Sequence, residues 1–499
     1  MKFGINKLFA YFKIIALMKV NLLLLALIFT GFSVQAQTTV LWSDSTVVTS
    51  TPNPITSPRV VLLPDGTPLV TWGVSGNSIP SQIWCSRFEN GSFSPPAAVV
   101  QDPAVPSLFG FGGYDVAVSD SQVYIVFEQL QEGILLARSD DGGQTFAPAT
   151  TVQEHVSGGY ATLSSVVVDD AGNPVVSYIR EKGGATYEVR RSTDGGFTFN
   201  EPVTASAPAP GAAVCECCTS DLLSSGDSVW MVFRNNNQNL RDIWVSRSTD
   251  LAVTFDTATD VDQTDWQLNS CPIAGPRMAR SGDSIMTVWM SSATGAARVY
   301  LSTLHAGTMQ AGQQISFPTS INPQTPQSQA DVTAAGDTIG MVFVEKSKEI
   351  VFCFSTNGTT NLSNQCTRFA LPNHTLQYPS ITFRNGVFHL VYSDPTADKV
   401  LYRQGILTQA IPTKEPAEDS ASDVSVFPNP ATASEGFRVK SALEEMQMLV
   451  LFDVFGKKLL EQKCSGQEAS IPTSNLPKGI YFLKVKTLRK EILLEVAVQ

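Results

Sequence analysis

The chain has 499 residues, 43% of them hydrophobic and 16% charged, with a formal net charge of -11. That supply of apolar side chains suits buried cores in more than one domain and excludes a disordered chain. Residues 1–36 hold four Lys and no acid, so a chain without them stands near -15, a balance that argues against nucleic acid or an anionic membrane surface as partner.

At the start, Met18-Lys19-Val20-Asn21 leads into the apolar run Leu22 to Phe29 and then Val34-Gln35-Ala36, before Gln37. A short basic region, an apolar core and a small-x-small cleavage site read as an export signal over 1–36. The apolar run is shorter than the ~20 residues needed to span a bilayer, and no later segment is a candidate, so the mature chain is expected to carry no transmembrane anchor. Lys2, Lys7, Lys13 and a second apolar patch precede Met18, so both Met1 and Met18 are candidate starts.

From about residue 57 to 407 one theme recurs: an apolar strand, a Gly/Asp turn, a second apolar strand ending in an aromatic, a polar loop and a third strand. Val116 to Ser119, Val123 to Phe127 and Ile134 to Arg138 form one copy, and others begin near Val60, Leu163, Leu222, Met278, Val332 and Ile381. A small antiparallel sheet cannot bury both faces alone, and radial packing of such sheets solves that problem. The chain is therefore predicted to be all-β, with a β-propeller over 37–408. Seven blades are expected, with six as the alternative if the first or last copy is not a full blade. The last copy lacks an outer strand, which Thr38 to Val48 is expected to supply.

Two octets at equivalent points of the repeat, Ser139-Asp140-Asp141-Gly142-Gly143-Gln144-Thr145-Phe146 and Ser192-Thr193-Asp194-Gly195-Gly196-Phe197-Thr198-Phe199, share the pattern Ser-x-Asp-x-Gly-x-Thr-Phe. The pattern resembles the Asp-box, or BNR repeat, of sialidase-like β-propellers. The resemblance implies that Ser139, Asp141, Gly143, Thr145, Phe146 and Ser192, Asp194, Gly196, Thr198, Phe199 hold a tight turn and do no chemistry. A third copy, Ser248 to Phe255, has Ala252 where the others have glycine.

Residues 409–423, with two Pro, several acids and no apolar periodicity, read as a linker. Beyond it, residues 424–499 carry Val426-Phe427-Pro428-Asn429-Pro430, Leu451-Phe452-Asp453-Val454-Phe455-Gly456-Lys457 and Leu476-Pro477-Lys478-Gly479-Ile480-Tyr481-Phe482-Leu483-Lys484-Val485. Alternating strands with Pro and Gly turns predict a small β-sandwich. These segments, in this order, are similar to the sorting domain of the type IX secretion system of Bacteroidetes. The resemblance implies export by that machinery to the medium or the cell surface, with the tail removed or used for attachment.

In a propeller the box turns lie on one face, so ligand chemistry is expected on the other, at the loops entering each inner strand. There Cys215-Glu216-Cys217-Cys218 opens the fourth copy and Cys271 the fifth. Three readings stand: a disulfide from one of the three to Cys271, a thiolate site for copper or zinc with Glu216 or His155 as a further ligand, and a redox or nucleophilic thiol. The run, with Arg241-Asp242-Ile243 and Cys271 to Pro276, is similar to segments of sialidase-like propeller proteins, a likeness that implies no activity. Cys353 and Cys366 flank one turn and are expected to form a hairpin disulfide. Cys85 and Cys464 have no evident partners, and His155, His305, His374 and His389 lack metal-ligand spacing.

A sialidase needs three arginines on a carboxylate, a tyrosine nucleophile with a glutamate partner, and an aspartate acid/base. The resemblance nominates Arg59, Arg234 and Arg277 as clamp, Tyr378 as nucleophile and Glu216 as its partner. The chain departs from that family at the early Arg-Ile-Pro motif, where it reads Pro58-Arg59-Val60, and has no aspartate between Trp72 and Ser81. Three functions follow as alternatives: an exo-sialidase-like glycoside hydrolase, a non-catalytic propeller binding glycan or protein, and a propeller holding a metal at its cysteines.

Overall fold

The computed structural model describes residues 38–409 and 424–498, apart from 77–79, 111, 131, 212, 321, 433, 443, 454–456 and 489–490. The expected export signal at 1–36 and the linker at 410–423 lie outside the described residues, as do Val454 to Gly456 of the tail. Residues 37–409 form one compact unit and the tail belongs to another. Apart from one short 3-10 turn at Leu362–Asn364, the described elements are all β-strands.

The unit at 37–409 is a β-propeller, and its described residues form seven antiparallel sheets. Their inner strands are Ile55–Leu62, Tyr114–Ser119, Tyr160–Val168, Asp221–Ser225, Arg277–Ser281, Gln327–Ala335 and Gln377–Arg384. Each touches the next, and the last touches the first, so the sheets close a ring. The second strand of each sheet is covered on both faces by neighbouring sheets. It therefore reads as a continuous apolar run instead of alternating, as in Val123-Tyr124-Ile125-Val126-Phe127, every residue of which is fully buried. Burial of each such large side chain is worth about 1.5–3 kcal/mol, which is what holds sheet to sheet.

The ring is closed by the start of the chain. Thr38–Trp42 and Thr46–Ser50 both pair antiparallel with Lys399–Gln409, giving the last sheet its outer strand as the sequence predicts. Trp42 fixes this closure by packing edge-on against Phe352 and Phe369, with ring centroids at 4.8 and 5.1 Å.

At the axis, one position recurs in every inner strand and is occupied in order by Arg59, Asp115, Ser165, Asp221, Arg277, Asp331 and Ser380. The equivalence follows from a shared bond. Asp115 Oδ2 accepts the Val166 N–H at 3.2 Å, Asp221 Oδ2 that of Met278 at 2.8 Å, Asp331 Oδ2 that of Ile381 at 3.0 Å, and Ser380 Oγ that of Val60 at 3.4 Å. In each case the side chain of one sheet satisfies the amide just after the corresponding residue of the next sheet. Four inner strands carry a bulge immediately before this position. The bulge residues Ser57, Leu163, Gln329 and Tyr378 all have positive φ, between 35° and 54°.

The tail unit comprises two antiparallel sheets. One contains Val424–Phe427, Phe437–Ser441 and Glu468–Ile471, and the other Lys458–Lys463, Met446–Phe452, Gly479–Thr487 and Glu491–Val498. Their apolar faces share one core that includes Val439, Leu449, Leu451, Leu483 and Val485. Asn429, from the Pro-Asn-Pro segment, ties the first strand region to the last: it donates to the Glu495 carbonyl at 3.0 Å and accepts the Ala497 N–H at 2.8 Å.

Because Trp42 seals the seam between the first and last parts of the propeller, Trp42→Ala should destabilise it. A loss of roughly 2–3 kcal/mol in urea unfolding is expected, somewhat below the value for a fully buried tryptophan. A change within error would mean that the seam does not depend on this side chain.

Candidate functional site

The three octets make one and the same turn. In the first, Ser139 Oγ donates to Asp141 Oδ1 at 2.7 Å and accepts the Gly143 N–H at 2.9 Å. Asp141 accepts the N–H groups of Gln144 and Thr145, both at 2.9 Å, and the Thr145 hydroxyl at 2.6 Å. Ser192, Asp194, Gly196 and Thr198 repeat the pattern, and so do Ser248, Asp250, Ala252 and Thr254. Ala252 keeps the left-handed φ of 64° that glycine adopts in the other two. Burial works against the Asp141 carboxylate, yet the bonds from Thr145, Ser139 and Gln144 outweigh it and hold its pKa at about 2. For Asp194, bonds from Thr198 and Ser192 do the same. Phe146 and Phe255 insert into the core, and Phe199 packs against it. The Ser and Asp side chains of each turn are thus engaged on the turn itself.

These turns sit beyond the far ends of the inner strands. The Gly142 N–H bonds the Ser121 carbonyl, and the Leu251 N–H that of Asp227, both in turns that follow an inner strand. The opposite ends of the inner strands open into a cavity of about 330 Å³. Its wall includes Ser57, Arg59, Thr219, Arg277, Gln329 and Tyr378, together with Pro272 to Gly275. The bulges explain this composition, since three of the four positive-φ residues, Ser57, Gln329 and Tyr378, lie on the wall. Gln329 Oε1 accepts the Tyr378 N–H at 2.7 Å and fixes the strained tyrosine backbone.

Next to Arg277 lie the acids of the axial row. Its Nη1 is 3.6 Å from Asp221 Oδ1 and 3.9 Å from Asp115 Oδ1. Burial pushes up the pKa values of Asp115 and Asp331. In Asp221 burial acts together with the neighbouring Asp115 and Asp331, so the direction is again upward. The three acids therefore resist full ionisation. Arg59 Nε is buried with no hydrogen-bond partner.

Of the five residues nominated by the resemblance, the structure brings Arg59, Arg277 and Tyr378 to one cavity and puts the other two elsewhere. Arg234 is fully buried. Its guanidinium donates to the carbonyls of Arg241 and Met290, both at 2.7 Å, and of Ala274, and it lies over the Trp266 ring. With its donors on backbone oxygens it has none to clamp a carboxylate, so its role is to hold loops. Glu216 is exposed and lies 3.6 Å from Arg241, and no hydrogen bond joins it to Tyr378 among the described residues. Sequence reasoning missed Asp221, Asp331 and Gln329. Aligning the inner-strand repeats on Arg59 and Arg277 would have exposed the two acids.

Cys215, Cys217, Cys218 and Cys271 converge as expected, their sulfur atoms all within 4.8 Å of one another. Cys217 and Cys271 are disulfide-bonded, and Cys215 and Cys218 are buried thiols 3.3 Å apart. Arg241 Nη1 donates to Cys215 Sγ at 3.0 Å. The bond from Cys218 lowers the Cys215 pKa to about 7 against the cost of burial, helped by Arg241 and Arg234, whereas burial pushes Cys218 up. Neither Glu216 nor His155 joins the four sulfurs. Cys353 and Cys366 face each other across paired strands and form the expected disulfide. Cys85 donates to the Gly143 carbonyl at 3.0 Å, and burial raises its pKa to about 12. Of the histidines, His374 Nδ1 bonds Asp394 at 2.7 Å and His389 Nδ1 bonds the Tyr402 hydroxyl at 2.6 Å.

Residues 425–499 match the family model described as the secretion system C-terminal sorting domain. No curated protein matches the chain. Solved structures similar to it include a protein of unknown function from Dyadobacter fermentans at 11% identity and a TM-score of 0.44, covering 74% of this chain and 99% of that one. The GH93 alpha-L-arabinofuranosidase of Fusarium graminearum shows 13% identity and a TM-score of 0.40, with 74% and 98% covered. The intramolecular trans-sialidase of Ruminococcus gnavus shows 11% identity and a TM-score of 0.41, with 73% and 97% covered.

A second group of acids, Asp242, Asp260 and Asp262, lies by the loop that ends in Trp266, whose N–H Asp242 accepts at 2.9 Å. Burial, aided by the neighbouring acids, raises Asp260 from 3.8 to about 7 and Asp242 to about 6. A raised acid holds its proton more tightly when folded. Its contribution to stability is therefore present below pH 3.8 and is lost as the pH rises through about 7. Asp260→Asn should flatten the fall in melting temperature between pH 3.8 and about pH 7. An unchanged slope would show that Asp260 does not titrate there.

Proposed function

We propose that this chain is an export cargo of the type IX secretion system whose propeller binds a carboxylated sugar in its axial cavity, without hydrolysing it. The single observation that carries the reading is the convergence of Arg59, Arg277 and Tyr378 on one cavity, with the buried axial acids biased toward their neutral forms. Two guanidiniums of which one has an unpartnered Nε suit a carboxylate. Tyr378 and Pro379 offer apolar surface to a sugar ring.

Binding without turnover is favoured by what the wall lacks among the described residues. Turnover of sialidase type needs a glutamate beside the tyrosine and a third arginine, and Glu216 and Arg234 are engaged elsewhere. The match of the tail to a secretion sorting domain supports export, with the extracellular medium or the cell surface as destination. Cleavage of the tail and use of a Bacteroidetes-type machinery belong to the same proposal.

Titration calorimetry with N-acetylneuraminate and with glucuronate tests this. At least one should bind, and Arg59→Ala should weaken it about 10- to 100-fold, the usual worth of a charge-assisted pair. Thermal melting would check that the variant is folded. Binding of neither sugar would remove the carboxylate reading. Hydrolysis of a fluorogenic sialoside that Tyr378→Phe abolishes would replace binding with catalysis.

A further inference from the structure

We infer that the reduced chain holds one thiophilic cation, of the zinc or copper(I) class, between the sulfurs of Cys215, Cys217, Cys218 and Cys271. This site is separate from the sugar reading and does not depend on it.

A structural disulfide needs two cysteines, and here four sulfurs from two loops crowd together. In a tetrahedral thiolate centre, metal–sulfur bonds of about 2.3 Å set the sulfurs about 3.8 Å apart. Cys215 and Cys217 stand at 3.8 Å, Cys215 and Cys218 at 3.3 Å, and no pair exceeds 4.8 Å. Soft sulfur donors without a carboxylate or imidazole among them select soft ions over magnesium or calcium. Four thiolates on a divalent ion leave two negative charges, and the surroundings supply compensation. Arg241 donates to Cys215 Sγ at 3.0 Å, and its Nε is held by the Leu268 carbonyl at 2.9 Å, which fixes the direction of that bond. A buried arginine donating to a buried thiol is the kind of outer support that metal thiolates use. The Tyr187 hydroxyl bonds the Cys218 carbonyl and secures that backbone from below.

The disulfide between Cys217 and Cys271 is the oxidised form of the same cluster. A dithiol reductant supplies two electrons and two protons, the bond opens to two thiols, and the reductant closes to its own disulfide. The ion then displaces the thiol protons and takes the sulfurs as ligands.

The test uses the full mature chain, reduced with a dithiol under argon and freed of it, with Co(II) as probe. About one cobalt per chain is expected, with the sulfur-to-cobalt charge-transfer and intense visible bands of a tetrahedral thiolate, lost on adding Zn(II). Cys218→Ser should abolish those bands, and Cys464→Ser, outside the cluster, should leave them. If Cys218→Ser does not fold, alkylation of the native chain decides: the ion should protect these four thiols. A cobalt spectrum without sulfur charge transfer, unprotected thiols, or bands that survive Cys218→Ser in a folded chain would overturn the assignment.

Discussion

The structure depends on satisfying the inner strands at the axis. A strand at the edge of a sheet presents backbone N–H groups that need acceptors, and in a ring the inner strand of every sheet is such an edge. Here the amides of Val60, Val166, Met278 and Ile381 are taken by Ser380, Asp115, Asp221 and Asp331 of the preceding sheets. Apolar packing between sheets brings them together without specifying their order. The side-chain bonds at the axis add direction, because each joins one residue type at one position to the following sheet. The polar residues of the axis are thus part of the scaffold before they are part of any site.

The same constraint shapes the cavity. Bulges immediately before the axial position force Ser57, Gln329 and Tyr378 into left-handed backbone, a cost that persists only where surrounding bonds overdetermine it. Those bonds are present: Gln329 accepts the Tyr378 amide, and Ser57 donates to the Gly110 carbonyl at 3.0 Å and accepts the Tyr114 hydroxyl at 2.7 Å through its own carbonyl. Gly110 itself has no room for a side chain beside the Tyr378 hydroxyl, where a Cβ would lie 2.8 Å away. The tyrosine backbone is therefore fixed by Gln329, and its hydroxyl sits where only a glycine fits beside it.

Much of this was legible in the sequence, for identifiable reasons. The octets were readable because their bonds run within eight residues, and a local pattern suffices to specify them. The closing strand at Thr38 was readable because the last copy of the repeat was short by one. The tail was readable from three segments in fixed order. Arg234 misled because its type suggests an anion clamp, whereas its burial and its carbonyl partners come from segments distant in sequence, Ala274 and Met290 among them. Glu216 misled for a similar reason, since its proximity to Arg241 is set by how two strands enter and leave one sheet. Asp221 and Asp331 were overlooked because an isolated aspartate, at the start of a strand or within one, shows no partner in the local sequence, and only the register between sheets reveals it.

The cavity wall and the sulfur cluster share two loops. Thr219 follows Cys218 by one residue, and Pro272 to Gly275 follow Cys271, and all of these line the cavity. Where the loops meet, Gly275 packs onto Thr219 so closely that a Cβ would overlap its hydroxyl and backbone. Arg234 adds a third tie, bonding the Ala274 carbonyl while its charge acts on Cys215 and Cys218. A disulfide joins the loops through Cys217 and Cys271 alone, whereas an ion would join them through all four sulfurs and pull Cys215 and Cys218 into the same linkage. Packed interfaces of this kind shift between discrete arrangements in preference to deforming smoothly. Thr219 and Gly275 thus lie between the four sulfurs and the part of the wall shared with Arg59 and Tyr378.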